Sequence, residues 1–316
     1  MHRRTLLQAG LVTLATAAYG PRALAETADR PAYGDWIPAE SHDPDRPVLG
    51  THTTLETAGT EFDGRYLEEP APILALPLSG MLSTPAVLGG LFGYPFGEDL
   101  LQPTEDPTAS AVTLVDDLVV FTGEFDPATF EAEYDDGFTT EDRSGYTHFQ
   151  GEEAMTDELA YGVSEDTVVA ALHPGEDREY DATELVADAF DRNDEGTGRL
   201  VDDEDGEWLL EATGSPDVAV VAWGLEEGLD ISQEHTVNAP ELSLDSPVVT
   251  EAGGLVSTAR LGEEDPVARF AGIYPEGPPG EGTVEEDLLD GLEIPHEIDR
   301  GEQRLLVEAA IGERSY

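Results

Sequence analysis

The sequence predicts an α+β fold in which helices cover one face of antiparallel sheets. Strand-like segments follow one another in adjacent pairs, and short capped helical segments separate those pairs. Residues 113–223 follow the order β-α-β-β-α-β, which is the order of a ferredoxin-like unit. We expect a single α+β globular domain over residues 48–316, or two ferredoxin-like halves over residues 48–224 and 225–316.

The first predicted elements are an extended arm and a strand. Residues 26–47 are rich in Pro, Asp and Ala, which favours an arm without regular structure. Tyr33 and Trp36 supply the aromatic surface that would hold this arm against the body of the protein. Residues 48–55 are predicted as the first strand.

The pattern becomes regular after residue 112. Apolar residues over 113–125 predict a strand, or a hairpin that turns at its two central Asp residues. Asp126 is a typical N-cap and Pro127 suits the first helical position, so a short helix should run to Tyr134. The remaining predicted elements are strands at 146–150 and 159–172 (two short strands), helices at 181–190 and 206–212, strands at 218–223, 248–261 and 267–274, a helix at 283–292 opened by a capping box, and a strand at 304–311.

The composition excludes several functional classes. The chain has 316 residues, of which 69 are acidic and 15 are basic, and its formal net charge is −54. Every basic residue is Arg, and Cys is absent. A thiol nucleophile, a Cys-ligated metal, a Walker-A phosphate loop and a Schiff-base lysine are therefore excluded. Nucleic acid is a disfavoured partner, because it is itself an anion.

The acidic charge also predicts the solvent. The acids are spread along the whole chain, and Leu, Ile, Val and Phe make up about 23% of it, just above the range of disordered chains. Salt relieves the self-repulsion, because the Debye length falls to about 3 Å near 1 M. The composition resembles that of proteins from salt-loving archaea, so we predict a folded, halophilic protein with a thin core.

The N-terminus predicts export. Arg3 and Arg4 precede an apolar run, and Ala23 and Ala25 form the small-x-small pattern of a cleavage site. Paired arginines are typical of a twin-arginine (Tat) signal, although a Sec signal or an amphipathic start has the same outline. We predict a signal peptide over residues 1–25, export through the Tat translocase, and an extracellular or cell-surface location.

Several features spread along the chain point to a broad family. They are the paired Arg3 and Arg4, the entry formed by Tyr33, Trp36, Ile37 and Pro38, and the segments 119–126, 146–149 and 163–169. In these features the chain resembles haloarchaeal secreted proteins that carry a twin-arginine signal and have no assigned function. Many members of that group carry a lipid-anchoring Cys after the signal. This chain has none, so we expect no lipid anchor.

The sharpest metal-binding pattern lies between two predicted helices. It places oxygen-bearing side chains at positions 1, 3, 5, 7 and 12 of a loop with Gly196 at position 6, which is the EF-hand arrangement. Arg199 at position 9 departs from that pattern, and a solvated acidic loop explains the same residues. A weak Ca²⁺ site is one interpretation, with no cofactor required. Its ligands would be Asp191, Asn193, Glu195, Thr197 and Asp202.

One segment stands out because it carries no charge. Residues 71–97 contain no Asp, Glu or Arg, whereas 27% of the chain is charged. An exposed apolar stretch would mark a surface for an envelope or protein partner. The alternative is a buried helix over the sheet, with residues 81–91 most helical; four prolines and five glycines oppose a simple membrane-spanning helix. The interaction surface would comprise Leu76, Leu78, Met81, Leu82, Leu88, Leu91, Phe92 and Phe96.

No catalytic pattern emerges from the sequence. The seven His show no i, i+3 or i+4 spacing, and no G-x-S-x-G elbow occurs. With 69 carboxylates, a pair of acids at catalytic spacing discriminates nothing. We predict a non-enzymatic binding or cell-envelope interaction module, with catalytic residues unassigned. The alternative is an extracellular hydrolase that uses carboxylates and is stabilised by calcium.

Overall fold

An antiparallel sheet of twelve strands runs through the protein, and helices pack on both of its faces. The structure is a computed structural model. The residues that mark the predicted signal peptide, Arg3, Arg4, Ala23 and Ala25, lie outside the residues that it describes. The described residues are 30–41, 46–55, 72–91, 108–133, 138–151, 159–172, 181–225, 246–261, 266–289 and 295–311.

All neighbouring strands of the sheet are antiparallel, which confirms the predicted α+β class with an antiparallel sheet. The strands are β1 Val48–Thr54, β2 Thr108–Val115, β3 Leu118–Glu124, β4 Phe138–Asp142, β5 Thr147–Gly151, β6 Leu159–Val163, β7 Thr167–Leu172, β8 Val218–Trp223, β9 Gly254–Arg260, β10 Val267–Ile273, β11 His296–Arg300 and β12 Arg304–Ala310. Their order in the sheet is β11-β12-β10-β9-β8-β1-β2-β3-β7-β6-β5-β4.

The α-helices lie in the connections between strands. Two short 3-10 helices, Ala32–Trp36 before β1 and Leu200–Asp202, pack on the same side of the sheet. The α-helices are α1 Pro72–Leu91, α2 Pro127–Glu133, α3 Ala182–Glu195, α4 Glu204–Thr213, α5 Pro247–Thr250 and α6 Glu281–Leu289.

Helix α3 shows how local sequence sets an element. The Asp181 side chain accepts a hydrogen bond from the Thr183 N–H, which caps the first turn. Gly196 ends the helix in the left-handed conformation, at φ 64°. The predicted end at Phe190 was therefore five residues early, because the glycine cap and not the last apolar residue determines where the helix stops.

Both faces of the sheet are buried around β8. Ala219 and Val221 pack into the cluster that includes α3, α4 and the N-terminal arm. Val218 and Ala222 belong to the cluster that includes α1, α5 and α6. The prediction that helices cover one face is therefore wrong. Five consecutive buried residues in β8 leave neither face for solvent, so both faces need covering elements.

The sheet contains a topological repeat about the central β1–β8 pair. Going outward, the order is β2, β3, β7, β6 on one side and β9, β10, β12, β11 on the other. A helix follows the second strand of each series, namely α2 after β3 and α6 after β10. The β4–β5 hairpin extends the first series only. The ferredoxin-like unit is not confirmed, because β1 and β2 separate β8 from β3, which that unit would place side by side.

The strands at the two ends of the sheet, β4 and β11, were not predicted. Four of the five residues of β4 are exposed, and β11 has the sequence His-Glu-Ile-Asp-Arg with no buried position. Such strands lack the apolar alternation that identifies a strand, because they lie at sheet edges. Charged residues at an edge also oppose pairing with another chain.

The N-terminal arm is part of the core. Residues 32–36 form a 3-10 helix in which Tyr33 and Trp36 are buried, and Ile37 is fully buried behind them. The expectation that these two aromatics hold the arm is confirmed, whereas the expected extended conformation is wrong over residues 32–36. A short helical turn brings both rings to the same side, which an extended chain would not do.

Candidate binding surfaces

The uncharged segment begins as a core helix. Leu76, Leu78 and Met81 of α1 are buried, and the helix packs on β1, β8, β9 and β10. Gly80 permits this close contact, because a Cβ there would lie 2.7 Å from the Val220 Cγ2 atom. These three residues fit the buried-helix alternative and not the interaction surface, because the apolar strands beneath them cover their side chains.

The rest of that segment divides in two. Residues 82–91 continue helix α1, so the helix begins nine residues before the stretch predicted to be most helical. Within the described residues, no helix has the length and apolar character needed to cross a membrane. Of the remaining predicted surface residues, Leu82, Leu88 and Leu91 lie on this helix, and Phe92 and Phe96 lie outside the described residues.

The predicted calcium ligands do not form an EF-hand loop. Asp191, Asn193 and Glu195 lie in the last turns of helix α3, which places Asn193 on the opposite face from Asp191 and Glu195. Thr197 follows the helix cap, and the Asp202 carboxylate accepts hydrogen bonds from Arg199. The EF-hand pattern predicted a loop here, but its first five positions, residues 191–195, belong to helix α3. Among the described residues, no group of three or more His, Asp or Glu is placed to hold a metal ion.

A calcium titration checks this placement. We expect no calcium-dependent heat in molar KCl for the protein or for the variant Asp191→Ala, because a loop ligand set requires α3 to unwind by more than one turn. Isothermal titration calorimetry gives the measurement. Heat that appears in the unchanged protein and disappears in Asp191→Ala would restore the EF-hand interpretation.

Arg199, at position 9 of the predicted loop, forms ion pairs that attach the N-terminal arm to the rest of the fold. Its guanidinium contacts the Asp35 carboxylate at 3.0 Å and the Asp202 carboxylate at 2.9 Å. The hydrogen bonds from Arg199 lower the pKa of Asp202 below its usual value. Arg30 also contacts Asp35, at 2.5 Å. These pairs join the start of the arm to the loop between α3 and α4.

A buried polar cluster lies under the arm. The His52 Nδ1 atom is 2.9 Å from the Thr113 hydroxyl, and the His52 ring stacks on Tyr33 with centroids 4.6 Å apart. Burial lowers the pKa of His52 to about 4. Burial also raises the pKa of Tyr33, and the neighbouring Thr213 hydroxyl opposes that rise. The cluster is thus held in its neutral form at neutral pH.

The pH dependence of stability tests the burial of His52. In the unfolded chain His52 binds a proton near pH 6.5, whereas in the folded protein burial lowers the pKa of His52 to about 4. Stability should therefore fall as the pH drops between these values, and the loss amounts to about 3 kcal/mol. Urea titrations in molar salt at pH 7 and pH 4 should show this extra loss relative to His52→Phe. Equal losses in the two proteins would contradict it, because the carboxylates titrate in both.

A polar cleft lies where the end of α4 meets β9 and β10. On the two strands Thr258 stands opposite Arg269, and Arg260 stands opposite Val267. The cleft offers about 20 Å³ to a water-sized occupant. Its lining residues are Thr213, Ser215, Pro216, Thr258, Arg260, Val267 and Arg269.

The two arginines of this cleft differ in their partners. The Arg269 Nε atom donates to the Glu308 carboxylate at 2.6 Å, and its Nη1 atom donates to the Thr213 carbonyl at 3.3 Å. Glu308 is only 8% exposed, so this ion pair is largely shielded from water. The exposed Arg260 side chain makes no hydrogen bond or ion pair with another residue in the described part of the chain. The cleft therefore combines a fixed cation with a second one whose donors are available.

This cleft was not predicted from the sequence. The available signal was the rarity of cations: two of 15 Arg lie on strands that the sequence predicts to be neighbours. The alternation of β9 places Thr258 and Arg260 on one face, and β10 does the same for Val267 and Arg269. The end of α4 reaches the cleft through a tertiary contact, which no local sequence pattern reveals.

The hydrolase alternative requires carboxylates that converge in one cleft. The described carboxylates with displaced pKa values have structural partners instead. Burial raises the pKa of Asp116 in the β2–β3 turn to about 6, and this carboxylate accepts a hydrogen bond from Ser41 at 3.2 Å, which joins the turn to the arm. Hydrogen bonds lower the pKa of Asp126, which caps α2, and of Asp202, which pairs with Arg199.

Comparisons with known proteins provide little. No protein-family model matches the sequence. No curated protein matches it either. Among solved structures, the chain is similar to crystal form III of TP0453, with TM-score 0.37, 10% identity, and coverage of 88% of this chain and 92% of that chain. For crystal form IV of TP0453 the values are 0.38, 11%, 92% and 94%. A likeness at this level says nothing about function.

Proposed function

We propose that this protein is an exported, salt-adapted binding module of the cell surface, without catalytic activity, that holds an anionic ligand group in the cleft of Arg260 and Arg269. The observation that carries the proposal is that the Arg260 donors have no partner among the described residues and line the same cleft as a second guanidinium. Guanidinium groups bind carboxylates and other oxyanions through paired N–H donors.

High salt makes such a site workable on an acidic protein. At low ionic strength the field of the net charge of −54 would repel any anion. Near 1 M salt the Debye length is about 3 Å, so an approaching anion responds to the groups that it touches and hardly to the distant acids. The groups that it touches in this cleft are two cations, three hydroxyl side chains and the apolar Pro216 and Val267.

The half-buried position of Arg269 adds to the site. Glu308 and the Thr213 carbonyl fix the Arg269 guanidinium, so little side-chain freedom remains to be lost when a ligand binds. Thr258 lies between the two arginines and is almost fully buried on its strand. The side of the cleft that the sheet forms is therefore fixed before the ligand binds. The exposed Arg260 side chain is the group that would move to contact the ligand.

A titration followed by NMR tests the proposed function. The ¹⁵N-labelled mature protein is titrated with sodium acetate, propionate or sulfate against sodium chloride at constant molar ionic strength. We expect saturable shifts at Thr258, Arg260 and Arg269. The variant Arg260→Gln should abolish them. Arg300→Gln makes the same charge change at an exposed Arg whose described contact is the Pro278 carbonyl, and it should leave them unchanged. Shifts that survive in Arg260→Gln, or no saturable shift with any anion, would overturn the proposal.

A further inference from the structure

Building on the proposed function, we infer that the cleft selects a singly charged carboxylate on a small apolar substituent over phosphate or sulfate. The inference depends on three properties of the cleft, which are its charge, its donors and its apolar wall.

The charge of the cleft suits a monoanion. The two arginines are balanced by Glu308, which pairs with Arg269, and by Asp217, whose carboxylate accepts the Leu261 N–H at 2.6 Å. A dianion would therefore bring two negative charges to a site whose own charges balance. A monoanion brings one, and the like-charge repulsion is correspondingly smaller.

The donors suit a planar, two-oxygen group. The Nε and Nη1 atoms of Arg269 are committed to Glu308 and to the Thr213 carbonyl. Arg260 is the residue with a whole guanidinium fork to offer, and that fork matches the two oxygens of a carboxylate in one plane. A tetrahedral oxyanion has further oxygens that need donors, and the committed arginine cannot supply them all.

The remaining lining is apolar and close. Val267 and Pro216 form this wall, and the space of about 20 Å³ leaves room for a small group only. A short alkyl substituent on the carboxylate would cover Val267, whereas an ion such as chloride would leave it uncovered. Burying one additional methylene corresponds to about a fourfold gain in affinity.

The probes are acetate, propionate, N-acetylalanine, sulfate and chloride, each at constant molar ionic strength. We expect propionate to bind about four times more tightly than acetate, and both to bind more tightly than sulfate. N-acetylalanine distinguishes two sources of the same chemistry: binding as tight as that of propionate indicates the carboxyl end of a peptide, and weaker binding indicates a free short-chain acid. The variant Val267→Thr keeps the shape of the wall and should remove the preference for propionate over acetate.

The outcomes separate this inference from the proposed function. If sulfate binds more tightly than propionate and Arg260→Gln abolishes both, the site binds anions but the carboxylate inference is wrong. If Val267→Thr leaves the propionate preference intact, the apolar wall has been assigned wrongly and the inference also fails. If Arg260→Gln changes nothing for any anion, the proposed function fails together with the inference.

Discussion

Transfer of the mature protein from molar salt to about 50 mM NaCl should unfold it. Removal of residues 1–25 takes away three Arg and no acids, so 12 Arg remain against 69 acids. At 0.1 M salt the Debye length is already about 10 Å, and it is longer at 50 mM, so acids on neighbouring elements repel one another. The compact state gathers these charges, and unfolding separates them.

The structure shows few cations placed to offset that repulsion. Arg199 and Arg269 each bind carboxylates inside the fold, where they hold the arm and β12 in place. The exposed side of α6, by contrast, presents Glu281, Glu285 and Glu286 together. A net stability of about 5–15 kcal/mol, typical of a domain, leaves little reserve against unscreened repulsion among so many acids.

Circular dichroism at stepwise lower NaCl provides the measurement, and the loss of signal should be cooperative and reversible. A variant with Glu281→Gln, Glu285→Gln and Glu286→Gln should unfold at a lower salt concentration than the unchanged protein, because it carries three fewer charges on one helix. Replacing NaCl by an equal osmolarity of sucrose separates screening from general exclusion effects. A protein that stays folded at 50 mM NaCl would refute the halophilic interpretation.

The sheet could be predicted largely from its apolar periodicity. The β6–β7 hairpin and the β8 strand lie where the sequence predicts them, and of the two interpretations of residues 113–125 the hairpin is the observed one, with β2 beginning earlier, at Thr108. Val, Thr and aromatic residues are frequent in these strands, and the turns contain Asp or Ser. The order of the strands could not be predicted. Pairing of β1 with β8 joins residues about 170 positions apart, and only the global packing of two half-sheets selects it.

The candidate site was harder to predict than the fold. In a chain with 69 acids, a cluster such as Asp191 to Asp202 arises from composition alone, so the EF-hand pattern carried little information. The uncharged segment 71–97 does differ from the composition of the chain, but that difference does not show what buries its residues. Its apolar residues have to be buried somewhere, and whether strands or a partner bury them depends on which faces of the sheet remain open. Residues 73–81 turned out to pack on the strands of the same chain.

The variant Trp36→Ala should have the largest effect of any single substitution in the arm. Trp36 is 7% exposed and meets the Phe190 ring edge-on at a centroid distance of 5.7 Å. Removing it leaves a cavity between α3 and the sheet, which costs about 3–5 kcal/mol of unfolding free energy. Urea titration in molar salt measures this cost. Trp36→Phe should recover much of it, because an aromatic ring still fills most of the space.

The matched control is Trp208→Ala. Trp208 lies on α4 and is only partly buried, with the Arg304 guanidinium 5.0 Å from its ring centre, so its loss should cost about 1–2 kcal/mol. Equal costs for the two variants would show that the arm only rests on the surface. The hydrogen bonds between Ile37 and Leu200 and between Ala39 and Gly198 would then be its main attachment.

If the protein is exported by the proposed Tat route, the arm should link stability to export. Its first buried aromatic residue, Tyr33, follows Ala25 of the predicted cleavage site by eight positions, so the segment next to the predicted signal contributes to the core. A Tat signal implies translocation in the folded state. Trp36→Ala should therefore lower the exported fraction, and Trp208→Ala should lower it less. Pulse labelling of cells, followed by comparison of precursor with exported protein, gives that fraction. Unchanged export of Trp36→Ala, despite the expected loss of stability, would contradict export in the folded state.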